Sequence, residues 1–375
     1  MTNRILKVRR IHELERILQR NQGLDFARII AMLGIITLHV LGQGGVLKNL
    51  HESETNYWIY WFIEIVAYCS VNVFAMLSGY LNCEKCKFSS SRILELICSL
   101  MFYTIGITII FYCFYREKVS SIKDVIKSLF PMLAGRYWYI TCFILVYYTM
   151  PFINYFIKQL SYEQCKKIGV IMFVLVSVVP SFAHTDFFAV NFGYSAMWLI
   201  LCYYWGGIIK KRENEKYDIS NSRCLFLYFL CLIIVLLARM TTFFVFGRGL
   251  NYMCSYTSPF IVMASVLLLL LAKNLFNKHS KINKVLMLFS NAAFDVYLLH
   301  CHILVYDVLL VDRFSSFCNV KIYLIPILLG LVIVSIYIVG TITYIIRKQV
   351  FKILKIDLIY KLAGKLVDKY LFVEL

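Results

Sequence analysis

The sequence predicts an all-α, polytopic membrane bundle of about ten transmembrane helices. Charged residues make up only 16% of the 375 and hydrophobic residues 61%, whereas a soluble domain carries about 25% charged residues. Apolar runs near the ~20 residues needed to cross a hydrocarbon core recur at 24–46, 57–81, 93–115, 137–157, 167–183, 193–209, 224–246, 257–276, 285–311 and 321–346. Lys and Arg alternate in density between successive connections. With both termini cytoplasmic, the inside segments hold 28, the outside loops nine, and the spans two, Arg28 and Arg239. That bias follows the positive-inside rule. It explains the net charge of +18 as membrane orientation, so no nucleic-acid partner is expected.

Taken in order, residues 1–23 are basic, with Ile11, Leu14 and Leu18 at helical spacings, which predicts an amphipathic helix on the inner leaflet. The first apolar stretch is full length and lacks a small-residue cleavage site, so it reads as a span and not as a secretory signal. It carries Asp25, Arg28 and His39. Burying Arg and His in hydrocarbon is costly, so both point to function. Eleven steps of about 100° return to the same helix face, and a rise of 1.5 Å per residue separates the two by about 16 Å. Asp25 precedes Arg28 by a helical-neighbour spacing and is expected to orient the guanidinium as a structural partner. An imidazole suits general-base work, because its ordinary pKa lies near neutrality. A guanidinium fork suits phosphate.

The second span holds Glu64, an intramembrane acid, and closes on Ser78-Gly79, small residues that let helices approach closely. Cys83 and Cys86 follow in an inside loop. A zinc site needs about four ligands and no second pair lies nearby, so no metal is expected. Most other Cys fall within spans, where Cys behaves as a small apolar residue. The outer loop 116–136 departs from the charge bias with Arg116, Lys118, Lys123, Lys127 and Arg136. It predicts either contact with an anionic ligand or a different topology there. The fourth span opens with Arg136-Tyr137-Trp138-Tyr139, an aromatic cluster usual at a membrane interface. The ninth places Tyr297 with His300, and Asp295 with His302, on shared helix faces. Such groups should face a cavity and not lipid. The tail 347–375 is again basic and amphipathic, with Leu354, Leu358, Leu362 and Leu366 every four residues. Residues 24–346 therefore read as one membrane domain in which any chemistry takes place.

Four ordered fragments resemble acyltransferase family 3, integral membrane enzymes that modify surface saccharides. They are Asp25-x-x-Arg28-x10-His39, then Val73-Phe74 through Ser78-Gly79-Tyr80, then Trp138-Tyr139 with Tyr147 and Pro151, and Tyr297-Leu298-Leu299-His300. Asn72, Tyr80 and Asp295 depart from that family's usual Asp, Phe and small residue. The resemblance implies transfer of an acyl group, usually acetyl, from cytoplasmic acetyl-CoA to a saccharide hydroxyl, possible on a lipid-linked acceptor. It implies His39 and Arg28 as catalytic residues, with Arg28 and Ser78 toward the acyl-CoA. Trp138, Arg136, Tyr297, His300 and Glu64 are expected toward the acceptor. Both general-base catalysis and a covalent acyl-His intermediate are compatible with it. The expected location is the cell membrane, multi-pass, with both termini cytoplasmic. Richness in Ile, Phe, Tyr, Lys and Asn suggests a bacterial source. From the residues alone, intramembrane Arg, His and Asp also suit a proton-coupled secondary transporter or polysaccharide exporter.

Overall fold

Asn21 sets the start of the first helix: its side chain accepts from the backbone N–H of Gly23 at 2.8 Å and of Leu24 at 3.3 Å, satisfying donors that a helix start leaves open. The computed structural model describes residues 20–371 except 86, 88, 216–218, 248, 250–252 and 277–282. The expected amphipathic helix before residue 20, and Cys86, lie outside the described residues. The described chain is helical, with no strand. Its main helices are α1 Gln22–Leu41, α2 Thr55–Asn82, α3 Ser90–Phe114, α4 Ile122–Leu129 and α5 Trp138–Gln159. They continue as α6 Tyr162–Ala183, α7 Ala196–Lys211, α8 Asn221–Phe246, α9 Pro259–Asn274, α10 Lys284–His300, α11 Ile325–Ile353 and α12 Ile356–Leu371.

All ten expected segments are helical, but they do not all cross in one piece. Among the described residues, seven helices are long and apolar enough to span a membrane. The ninth segment breaks after His300 and turns by 70° into Ile303–Asn319; counted as one span, it makes eight. The sixth and eighth segments form α7 and α9, each of 16 residues. At 1.5 Å per residue they reach only about 24 Å, short of the ~30 Å core. The chain just before each is non-helical: Tyr194 precedes α7, and the buried run Cys254–Ser258 precedes α9. Irregular backbone at membrane depth is tolerated where it lines a cavity, and Tyr194 and Tyr256 both do so.

Burial separates centre from rim. The spanning windows of α1 and α2 are 61% and 67% buried, against 22–39% for the other five long spans. Around that centre, α1 packs on α2, α9 and α10, and α2 packs on α7 and α9. The α2–α7 crossing brings backbone against backbone. A Cβ on Gly79 would meet the Tyr203 carbonyl oxygen at 1.9 Å, and one on Gly206 would meet that of Met76 at 1.9 Å. Small residues at such a contact are what close helix packing in a membrane requires. The expected packing role of Ser78-Gly79 is thereby given a partner, Gly206.

The basic loop 116–136 folds around α4, whose Ser121 and Asp124 form a reciprocal capping box. Ile122, Ile126 and Phe130 are exposed on it beside Lys123 and Lys127, as on a helix lying in a membrane interface. Its buried side is tied inward: Ser128 bonds Thr108, and the Ser128 carbonyl accepts from His302 Nε2 at 3.1 Å. None of its lysines lines the cavities described below. At the opposite end α12 lies against α3, with Leu358, Leu362 and Leu366 exposed.

Candidate active site

Two cavities meet inside the bundle. The first, of about 550 Å³, has Gln43 and Lys48 on its wall, at the end of the bundle that the charge bias assigns to the outside. It is strongly aromatic, lined among others by Trp61, Tyr68, Trp138, Tyr194, Tyr256 and Tyr297. His39 and Glu64 are on its wall. The second, of about 470 Å³, is lined by Ser78, Arg92, Asn291, Arg347 and Lys348, at the end that the charge bias assigns to the cytoplasm. Phe74, Tyr139 and Phe294 line both.

His39 is held from behind. Its Nδ1 lies 3.1 Å from His300 Nε2. His300 Nδ1 lies 2.6 Å from the Val296 carbonyl oxygen. A carbonyl only accepts, so His300 Nδ1 carries the proton and, in the neutral ring, Nε2 is a lone pair. His39 Nδ1 must then donate to it, which leaves His39 Nε2 as the base. The Tyr306 ring packs edge-on against His39 at 5.6 Å. His300 is 3% exposed and does not itself line the outer cavity; it stands behind His39. The helix break after residue 300 lets the chain turn away here, and His302 secures it by capping Leu304 N and donating to Ser128.

Cys301 Sγ lies 3.7 Å from His39 Nδ1 and 3.4 Å from His300 Nε2. These three ligand atoms fall within 4.8 Å of one another, a spacing that a soft divalent cation such as zinc would accept. No fourth His, Cys, Asp or Glu joins them among the described residues. The direct 3.1 Å nitrogen–nitrogen contact already satisfies both rings as a hydrogen bond.

Arg28 is part of a network at the N-terminal end of α1. Its Nη1 donates to Ser290 Oγ at 2.8 Å and lies 3.6 Å from Asp25. Asp25 also takes Ser290 Oγ at 2.7 Å and a bidentate pair of 2.6 Å bonds from Arg20. Asp25 therefore holds Arg28 as expected, with Ser290 as an added partner. Arg28 does not itself line the inner cavity; it flanks it, since Ser290 adjoins the lining residue Asn291. Ser78 does line that cavity, and its hydroxyl bonds the Phe74 carbonyl at 3.2 Å.

The remaining expected residues divide between wall and rim. Trp138, Tyr297 and Glu64 line the outer cavity. Arg136 sits at its edge, ion-paired with Asp307 at 2.8 Å and stacked over the lining residue Tyr306. Tyr137, at the start of α5, has φ 55°, a left-handed conformation that is a genuine outlier for a bulky residue. Its hydroxyl bonds the Leu298 carbonyl, anchoring the turn that presents Trp138 and Tyr139.

Two groups had no assigned role in the sequence. Arg347, counted there with the tail, belongs to α11 and forms a buried pair with Asp295 at 2.5 and 3.1 Å, joined by Tyr103 at 2.9 Å. An intramembrane Asp needs such a partner, and that was the available signal. Arg239 stacks on Trp61 with its guanidinium 3.2 Å from the ring centre and provides the countercharge near Glu64. Three polar atoms of outer-cavity residues are buried without a hydrogen-bond partner: Trp61 Nε1, Glu64 Oε2 and Tyr139 Oη.

A family model described as an acyltransferase domain matches residues 21–346. The chain belongs to acyltransferase family 3. No curated protein and no solved structure matches it. The match covers every residue of the histidine pair, both cavities up to Tyr344, and the helix break. The match supports a membrane acyltransferase over the transporter reading.

Proposed function

We propose that this chain transfers an acyl group, acetyl in the first instance, from cytoplasmic acyl-CoA to a hydroxyl of a cell-surface or lipid-linked saccharide. The observation that carries this reading is the His300–His39 pair on the wall of an aromatic cavity. Aromatic walls with a few polar atoms suit a sugar ring, whose faces are apolar and whose edges carry hydroxyls. The inner cavity, with Arg92 and Lys348 on its wall and Arg28 beside it, suits the phosphates of coenzyme A. The reading places the protein in the cell membrane with both termini cytoplasmic, where acyl-CoA is available.

His39 Nε2 takes the proton of the acceptor hydroxyl as its oxygen attacks the thioester carbonyl carbon. The positive charge that forms on His39 is shared through its Nδ1–H with His300 Nε2. The C–S bond then breaks, and the departing thiolate takes the proton from His39. An ester and free coenzyme A result, with no change in oxidation state.

Purified protein, radiolabelled acetyl-CoA and a saccharide acceptor pool test this. His39→Ala should lower kcat by about 10³-fold, within the range of a lost general base. Arg28→Ala should chiefly raise the donor KM. Full transfer by both variants would sink the assignment. Turnover should also survive a strong zinc chelator; loss that zinc restores would reassign His39, His300 and Cys301 as a metal centre.

A further inference from the structure

We infer that α4 is an interfacial helix that binds the headgroups of anionic phospholipids, with Arg116, Lys118, Lys123 and Lys127 as its cationic contacts. The inference stands apart from the donor-and-acceptor reading. It starts from the loop whose charge runs against the positive-inside bias. Residues 116–127 hold those four cations against two acids, Glu117 and Asp124. Asp124 is already engaged, accepting from the Ser121 backbone N–H at 3.1 Å and from its hydroxyl at 2.6 Å. All four cations are exposed, and none makes an ion pair among the described residues. None lines either cavity. The fifth basic residue, Arg136, is the one that turns to the cavity edge, where Asp307 pairs with it. The other four are left for an anion from outside the chain.

Their neighbours decide the kind of anion. A step of four residues places Ile122, Ile126 and Phe130 in one row along α4, and Lys123 and Lys127 in the next. The apolar row faces outward, with Ile122 73% exposed, and Leu133 just beyond it is 84% exposed. Phe114 and Tyr115, where α3 ends, are exposed as well. An acidic polymer in water would cover the lysines and leave this apolar surface wet. A bilayer surface covers both. The apolar side chains enter below the headgroups, while the lysine stems lie along them and carry the ammonium groups up to phosphate.

Depth and anchoring agree. The 25 residues of α3 reach about 37 Å at 1.5 Å per residue, against a hydrocarbon core of ~30 Å. The end of α3 therefore stands at headgroup level, and α4 follows directly after residues 115–121. The buried side of α4 holds it there. Ser128 Oγ bonds Thr108 on α3, and the Ser128 carbonyl accepts from His302 Nε2 at 3.1 Å. A charged surface fixed in advance loses less freedom when it binds. Each basic residue near an anionic membrane favours it by about fivefold.

The test is amide hydrogen exchange of the intact protein in nanodiscs of phosphatidylcholine alone and of an equal mixture with phosphatidylglycerol. Peptides covering residues 116–130 should exchange about tenfold more slowly in the mixture, within what two to four such residues supply. Those of the interior helix α9 should exchange alike in both. Lys123→Gln with Lys127→Gln should remove most of this protection at an unchanged thermal midpoint, and Lys123→Arg with Lys127→Arg should keep it. Added salt should weaken it, because exposed charges are screened over about 8 Å at physiological ionic strength. Equal exchange in the two lipids, or protection that the glutamine variant retains, overturns the inference. So does stronger protection by soluble polygalacturonate, added to phosphatidylcholine discs, than by phosphatidylglycerol; the loop would then be a site for acidic polysaccharide.

Discussion

The two cavities share three residues and almost nothing else. The outer one is walled by aromatic rings with isolated polar atoms; the inner one is rimmed by Arg92, Arg347 and Lys348. On the proposed reading, each cavity suits one of the two substrates. A sugar exchanges water for ring faces at little electrostatic cost, while a phosphorylated carrier needs fixed cations at the face where it enters. His39 belongs to the outer cavity alone, and Phe74, Tyr139 and Phe294 stand between it and the inner one.

The largest effect expected on this division is structural. Arg347→Ala would leave Asp295 buried without its cation, and removing one member of a buried pair costs about 3–5 kcal/mol. A fall in thermal midpoint that the double variant with Asp295→Asn recovers in part would confirm that the pair acts as a unit. Equal destabilisation by both would show that the cavity wall depends on Arg347 packing alone.

A smaller effect tests the division directly. Arg92→Gln with Lys348→Gln should raise the donor KM about tenfold, equivalent to ~1.4 kcal/mol, and leave the acceptor KM alone. Glu64→Gln should do the reverse. Matching changes in both constants would mean that the cavities do not separate the substrates.

The smallest is a pH effect outside the spans. Burial alone would raise the Glu213 carboxyl, but hydrogen bonds from Lys210, Tyr80 and Lys273 outweigh it and hold it down at about 2. Lys210 lies at 2.6 Å and Lys273 at 3.1 Å. A depressed carboxyl stabilises the fold above its unfolded pKa near 4.5 and loses that contribution as pH falls through about 2. The group is partly exposed, so screening limits its contribution to ~1 kcal/mol. The midpoint difference between wild type and Glu213→Gln should stay constant from pH 8 to 5 and shrink below that. A difference independent of pH would show that the carboxylate charge plays no part.

Much of the site was legible along single helices. Asp25, Arg28 and His39 stand on one helix, and their spacing alone gives a cation near one membrane face and an imidazole deeper in. Tyr297 and His300 both read as cavity-facing; Tyr297 lines the outer cavity, whereas His300 lines neither. The roles were harder. His300 reads from its family motif as an acceptor contact, yet it stands behind His39, because the helix break after residue 300 turns the chain away from the cavity. Arg347 reads as tail, because apolar counting ends a span at its first charge and has no means to see a buried partner 52 residues earlier. The short α7 and α9 read as ordinary spans, since composition cannot tell a helix that crosses from one that stops where a cavity begins.

The sequence by itself determined the helical membrane class and the family. Hydrophobic length and charge bias are local sums, and an intramembrane His is costly wherever it falls. Only the tertiary structure decided which nitrogen of His39 faces His300 and which residues the two cavities share. Those depend on contacts between segments far apart in the chain, such as His39 with His300 and Phe74 with Tyr139, and no periodicity along the chain records them.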